Sequence, residues 1–215
     1  MTTLAYSIGL GTDDGYTDEW NGGHVYLTQD QILIGVQNNR GSQQSLWAGF
    51  RFQAVAMPNG QAVDSADIEL YITFTRETNG PADYNIYGDD QDDAPTWAAT
   101  APNRPGYYVD VTETTATYQH TETNVLDTTI NLTVDTIVNE ICARAGWVNG
   151  NDMRFSFQDN VLSLKTQIFG VATYEHVTHP EPILNIIYTV GAAGQPTMRR
   201  WSMVPGMGIG TGYGR

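Results

Sequence analysis

Two runs of carboxylates are the densest chemistry in the chain: Asp13, Asp14, Asp18 and Glu19 near the start, and Asp89, Asp90, Asp92 and Asp93 in the middle. Calcium takes about six to eight oxygen ligands, so acidic runs unrelieved by lysine read either as solvated loops or as calcium sites. The candidate ligands are Asp13, Asp14, Asp89, Asp90, Asp92 and Asp93. Neither run has the EF-hand spacing, which alternates acidic or amide ligands and ends on a glutamate. His24, His120, His176 and His179 share no metal-ligand motif, and the pair at 176 and 179 lies near Pro180 and Pro182 in a predicted loop, so surface histidines are expected. Catalysis needs a nucleophile within reach of a base, or paired carboxylates in a cleft. The chain offers only scattered candidates, which points away from an enzyme. Cys142 stands alone, excluding an intramolecular disulfide and every multi-cysteine zinc site. Sugar recognition needs aromatic platforms, and the available rings are Trp20, Trp47, Trp97, Trp147, Tyr107 and Tyr108. Trp47 precedes a strong strand and Trp147 follows a helical segment, so both read as core or corner residues. Trp20, followed by Asn21-Gly22-Gly23, is the ring placed for exposure.

Short strands must position these residues. Ile68 to Phe74 alternates cleanly, with Ile68, Leu70, Ile72 and Phe74 on one face and Glu69, Tyr71 and Thr73 on the other. The same period runs through Phe50 to Phe52, Met153 to Phe157, Tyr107 to Val111 and Leu184 to Val190. Further strands are predicted over Val25 to Thr28, Ile32 to Val36, Tyr84 to Tyr87 and Thr166 to Tyr174, with turns such as Pro58-Asn59-Gly60 between several of them. One segment has helical spacing: Val134, Ile137, Val138, Ile141 and Ala145 predict an amphipathic helix over 133–145, capped by Thr133 and Gly146. Cys142 lies beside its apolar stripe, where a small packed side chain is expected.

The chain has 215 residues, 40% of them hydrophobic, with 22 glycines and 9 prolines, which suits one all-β domain with a packed core. Its formal charge of -14 disfavours nucleic acid and anionic membranes as partners. The charge is unevenly placed. Residues 1–190 hold 7 basic against 24 acidic residues, a balance of -17, while residues 191–215 hold 3 basic and no acidic residue, a balance of +3. That C-terminal stretch also carries seven glycines and two prolines, so it reads as an arm outside the core. Among its glycines stand Arg199, Arg200, Trp201, Met203, Val204, Met207 and Tyr213, a set suited to gripping a partner, since Arg and Trp often dominate interface energy. The N-terminus lacks the basic start and apolar run of a signal peptide, and no stretch is long and apolar enough to span a membrane as a helix.

The order of features along residues 1–190 resembles a known family. It runs from Asp13-Asp14-Gly15-Tyr16 through Trp47-Ala48-Gly49-Phe50-Arg51-Phe52, Asp92-Asp93-Ala94-Pro95-Thr96-Trp97 and Arg104-Pro105, then past the helix to Gly150-Asn151-Asp152-Met153 and Pro182 to Tyr188. This order is similar to the jelly-roll modules of carbohydrate-binding-module type, found in large extracellular proteins and in tailed-phage virion proteins. The resemblance implies an all-β jelly-roll sandwich over 1–190, with the helix in a crossover and the arm, 191–215, outside it. It implies no catalysis. The Arg-Arg-Trp and Val-Pro-Gly elements of the arm resemble those of phage structural proteins. The expectation is therefore a virion protein made without a signal peptide, most simply a capsid decoration or cement protein. Its partners would be neighbouring shell subunits and further copies of itself, as in a trimer. The alternative is a carbohydrate-binding or host-adhesion module that takes a surface glycan.

Overall fold

Among the residues the structure describes, alternating apolar and polar side chains build an all-β fold with one helix. The computed structural model describes residues 1–19, 23–39, 42–77, 80–160 and 166–190. Among them run strands β1 (Thr2–Ser7), β2 (Asp14–Asp18), β3 (His24–Leu27), β4 (Gln31–Asn39), β5 (Ser42–Val55), β6 (Ser65–Glu77), β7 (Tyr84–Asp89), β8 (Glu113–His120) and β9 (Thr129–Thr133). Helix α1 (Asp135–Cys142) follows, and then β10 (Asn151–Asp159), β11 (Gln167–Ala172) and β12 (Ile183–Tyr188). Among the described residues no helix is long and apolar enough to cross a membrane.

The strands form one curled sheet in the order β1-β12-β6-β11-β4-β5-β10-β7-β8, with β2 and β3 extending from β5 and β9 lying on β6. Every pairing is antiparallel. The long strand β6 makes the curl: its first half lies between β12 and β9, and its second half pairs with β11. The inward faces close on a core that includes Phe50, Phe52, Ile68, Leu70, Phe155, Phe157, Leu184 and Ile186. Apolar burial of this kind is the main stabilising term, at roughly 25 cal/mol per Å².

Three local expectations are corrected. Phe74 does not share the buried face of Ile68, Leu70 and Ile72; it is 37% exposed. Between Ile72 and Phe74 the register against Val171 and Gly170 shifts, and an extra residue in a strand turns every later side chain to the opposite face. The helix is shorter than 133–145. Thr133 is held in the ladder opposite Asp67, Val134 takes the cap position without a side-chain bond, and Ala143, not Gly146, ends the helix. Gly146 serves instead for close approach, since a Cβ there would lie 1.9 Å from an oxygen of Asp92. Tyr107 to Val111 is not a strand. Gly106 takes a φ of +64°, Tyr107 N–H donates to the Arg104 carbonyl and Asp110 N–H donates to the Tyr107 carbonyl, which folds the segment into successive turns.

Helix α1 packs on β6, β7 and β8, burying Ile137, Val138, Ile141 and Cys142. Burial pushes the Cys142 thiol up to about 12, so it stays a neutral packed side chain. The approach of α1 depends on Gly88, where a Cβ would lie 2.6 Å from Ile137 Cγ2 and 2.7 Å from Ile141 Cδ1. Gly88→Ala is expected to cost about 1–3 kcal/mol of stability by overpacking, read by chemical denaturation.

Candidate functional site

The site begins on the outward face of β5 and β10. Inward positions there are apolar and mostly aromatic, Phe50, Phe52, Met153, Phe155 and Phe157 among them, and the residues between them point to the other side of the sheet. Arg51 and Arg154 fall on those intervening positions and pair directly across the two strands. Both are buried, Arg154 completely. Two like charges so placed repel, and each loses its hydration. Surrounding oxygens compensate. Arg51 Nη1 donates to Asp13 Oδ1 at 2.5 Å, its Nε to the Ala94 carbonyl at 2.9 Å, and its Nη2 to Asp152. Arg154 donates to Asp89 through Nε at 2.9 Å and through Nη2, and to the Pro95 carbonyl at 3.0 Å. Its guanidinium also lies 4.1 Å from the centre of the Trp97 ring. Burial pushes the Asp89 carboxyl up, against the pull of Arg154. The second oxygen of Asp152 accepts from Ala54 N–H at 2.7 Å, where the backbone has a φ of +50°. One carboxylate thus holds both an arginine and the strained end of β5.

These bonds fasten the long connection between β7 and β8 onto the sheet. Farther along it, Arg104 forks onto Asp110, with Nε to Oδ2 at 2.7 Å and Nη2 to Oδ1 at 3.1 Å, and sits 3.7 Å from the centre of the Tyr107 ring. The turns bring Tyr107 and Tyr108 into T-shaped contact with Trp47, with centroid separations of 5.0 and 5.6 Å. Trp47 is only 5% exposed, and its Nε1 donates to Asp159 Oδ1 at 2.7 Å. A cleft of about 400 Å³ opens beside them, lined by Glu19, Gln43, Ser45, Trp47, Tyr108, Gln158 and Asp159. Burial pushes the Asp159 carboxyl up, the hydrogen bonds from Ser45 and Trp47 hold it down, and the Glu19 charge raises it again. The cleft is therefore anionic and aromatic, with amide and hydroxyl groups on its walls.

The two acidic runs do not meet at a common centre. Asp13 is bound by Arg51 and by Gln53 Nε2 at 2.5 Å. Asp89 is bound by Arg154, Asp90 and Asp92 by Arg144, and Asp93 Oδ1 accepts from Asp152 N–H at 2.9 Å. Guanidinium groups relieve the repulsion at Asp13, Asp89, Asp90 and Asp92, and among the described residues no three His, Cys, Asp or Glu side chains are grouped to hold a metal ion. Asp14 begins β2 instead of lying in a loop, and its Oδ2 accepts from Tyr174 N–H at 3.0 Å. His176 and His179 do come together, with ring centroids 4.6 Å apart, and His179 also stacks on Tyr71. His120 is buried against Tyr84 instead of lying on the surface, and desolvation lowers its pKa. Trp147 is a core residue whose Nε1 donates to the Met57 carbonyl at 2.8 Å. Trp20 and the arm residues Arg199, Arg200, Trp201, Met203, Val204, Met207 and Tyr213 lie outside the described residues. Sequence reasoning missed Arg51, Arg154 and Asp159. The available signal was an arginine between large apolar residues in each of two strands, Phe50-Arg51-Phe52 and Met153-Arg154-Phe155.

A scan against protein-family models returns no match for the chain, and no curated protein shows significant similarity to it. Its own geometry therefore carries the reading. Arg154→Met would strand Asp89 as a buried unpaired charge, with an expected loss of about 3–5 kcal/mol in urea denaturation. Adding Asp89→Leu should return part of that loss. Asp14 gives a pH test. Burial, aided by Glu175 and Asp13, pushes its carboxyl from 3.8 up to about 8. The folded protein then keeps a proton that the unfolded chain releases, so this group's contribution to stability falls as pH rises from about 4 to about 8, then levels off. Asp14→Asn is expected to remove that fall, so that the variant gains on the parent between pH 5 and pH 8 in denaturant midpoints.

Proposed function

We propose that this chain is a non-enzymatic structural protein of a phage virion, a jelly-roll module that decorates or cements the shell and holds neighbouring subunits through residues 191–215. The observation that carries this reading is the use of arginine within the sandwich. Arg51, Arg104, Arg144 and Arg154 are each engaged by aspartates of the same fold. These four serve internal pairing; of the described arginines only Arg76 is exposed, so the remaining carboxylates dominate the character of the surface. The segment after the last strand has the opposite sign, with Arg199, Arg200 and Arg215 and no acidic residue. A body and an arm of opposite charge, with Trp201, Met203, Val204 and Met207 in that arm, suit docking between subunits, where charge steers the encounter and apolar side chains supply affinity. Self-association into a closed oligomer such as a trimer belongs to the same reading.

The cleft supports a second reading, in which the module adheres to a host glycan. Its observation is Tyr108, 54% exposed beside Gln43, Ser45 and Gln158. Trp47 adds no flat platform, because it is buried, with two tyrosine rings packed on it at steep angles.

Deletion of residues 191–215 tests the first reading. The expected result is a folded protein with the parent's melting temperature that enters particles at less than a tenth of the parent level. Undiminished incorporation would remove the arm from the function, and binding on a glycan array with normal particle assembly would favour adhesion.

A further inference from the structure

The protein twice builds one arrangement around an arginine: an aspartate on the guanidinium edge and an aromatic ring against its face. Arg104 has Asp110 and Tyr107, and Arg154 has Asp89 and Trp97. The Trp47 cleft repeats the receiving half of this arrangement. Asp159 is aimed by the Trp47 indole, Tyr108 presents an exposed ring, and Glu19 adds a second carboxylate. No lysine or arginine is among the described residues that line it.

We infer that this cleft binds a guanidinium group, and that an arginine of the C-terminal arm of a second copy supplies it. A guanidinium fits better than an ammonium ion because it is planar, weakly hydrated, able to fork onto a carboxylate and able to stack on a ring. It also suits two neighbouring carboxylates, one of them partly desolvated, which a bound cation relieves. Charge selects the source: the arm holds adjacent Arg199 and Arg200 and no acidic residue, whereas the body engages Arg51, Arg104, Arg144 and Arg154 internally and leaves exposed, among its described arginines, only Arg76, which stands beside the acidic Glu77. The choice of the arm rests on the docking role proposed above; the chemistry of the cleft does not.

The test uses the full chain carrying Arg199→Gln and Arg200→Gln, so that the arm does not compete at those positions. It is titrated with N-acetyl-arginine methylamide and with the neutral citrulline counterpart while the Trp47 indole N–H is followed by NMR. The expected result is a saturable shift with the arginine compound, at least tenfold weaker binding of the citrulline compound, and at least tenfold weakening by Glu19→Gln with Asp159→Asn at unchanged melting temperature. Absence of a shift, an equal response to citrulline, or a response to simple sugars in place of arginine would overturn the guanidinium site.

Sedimentation equilibrium of the unaltered chain decides the source. Association lost both in Glu19→Gln/Asp159→Asn and in Arg199→Gln/Arg200→Gln supports the second copy. Arginine binding without association overturns that part alone. Particle incorporation separates this inference from the docking role. If deletion of 191–215 blocks incorporation but Glu19→Gln/Asp159→Asn does not, the arm keeps its role and its docking in the cleft falls. If the deletion incorporates normally, the docking role itself falls.

Discussion

Two guanidinium groups cannot be buried side by side on neighbouring strands unless carboxylates close around them, and that constraint organises one whole face of this protein. Arg51 and Arg154 bring it about by facing each other across β5 and β10. Neutralising them draws on parts distant in the chain: Asp13 just before β2, Asp89 at the end of β7, and Asp152 within β10. The Ala94 and Pro95 carbonyls complete the set, so the chain after Asp89 is pinned to the sheet although it holds no strand before Glu113. Removing Arg154 or Asp89 leaves the other charge buried without its ion partner, whereas Arg51 would keep one of its two aspartates, so the network is costliest to break at Arg154 even where it adds little net stability. The Trp47 cleft is a consequence, because Tyr107 and Tyr108 reach Trp47 only while this connection stays in place.

What the sequence discloses is the part of the fold that repeats. Ile68, Leu70 and Ile72 announce β6 because a period of two has one physical meaning, and the helix shows itself through Val134, Ile137, Val138 and Ile141. Features that depend on a single residue or a distant partner escape this reading. Nothing local to Thr73 signals the shift that turns Phe74 outward, since the bulge is defined only against β11. Tyr107 to Val111 alternates like a strand but lacks a neighbouring strand to complete its hydrogen bonds, so the turns around Gly106 and Asp110 prevail. Thr133 is a sound helix cap by type, yet its backbone belongs to the ladder opposite Asp67.

The acidic runs show how the same residues acquire another meaning in three dimensions. Adjacent carboxylates in a sequence suggest repulsion and hence a cation. In the fold, Asp89 lies on Arg154, while Asp90 and Asp92 share Arg144, which extends from the end of α1. For these three carboxylates a cation is supplied by a side chain from elsewhere in the chain. Periodicity cannot disclose it, because Arg144 and Arg154 stand far from their partners in sequence. Asp159 is hidden for the same reason: its importance comes from Trp47, on a strand that joins it only when β5 and β10 pair.

This economy of cations bears on how the arm would bind. A net -17 on residues 1–190 attracts a +3 segment at long range, but that attraction fades beyond a Debye length of about 8 Å at physiological salt and has little shape. It can speed an encounter without selecting its register. Register requires a short-range contact with directional demands, and an aspartate beside an aromatic ring imposes them: the guanidinium must meet the carboxylate in plane and the ring face-on. A single contact of that kind does not offset the conformational entropy lost when several residues of chain are fixed on a surface. The proposed docking therefore needs the large apolar residues as well, Trp201 and Met203 to Met207, bound in succession once the arginine has set the register. Each later contact then forms within an already tethered segment, where effective concentration replaces part of the missing affinity.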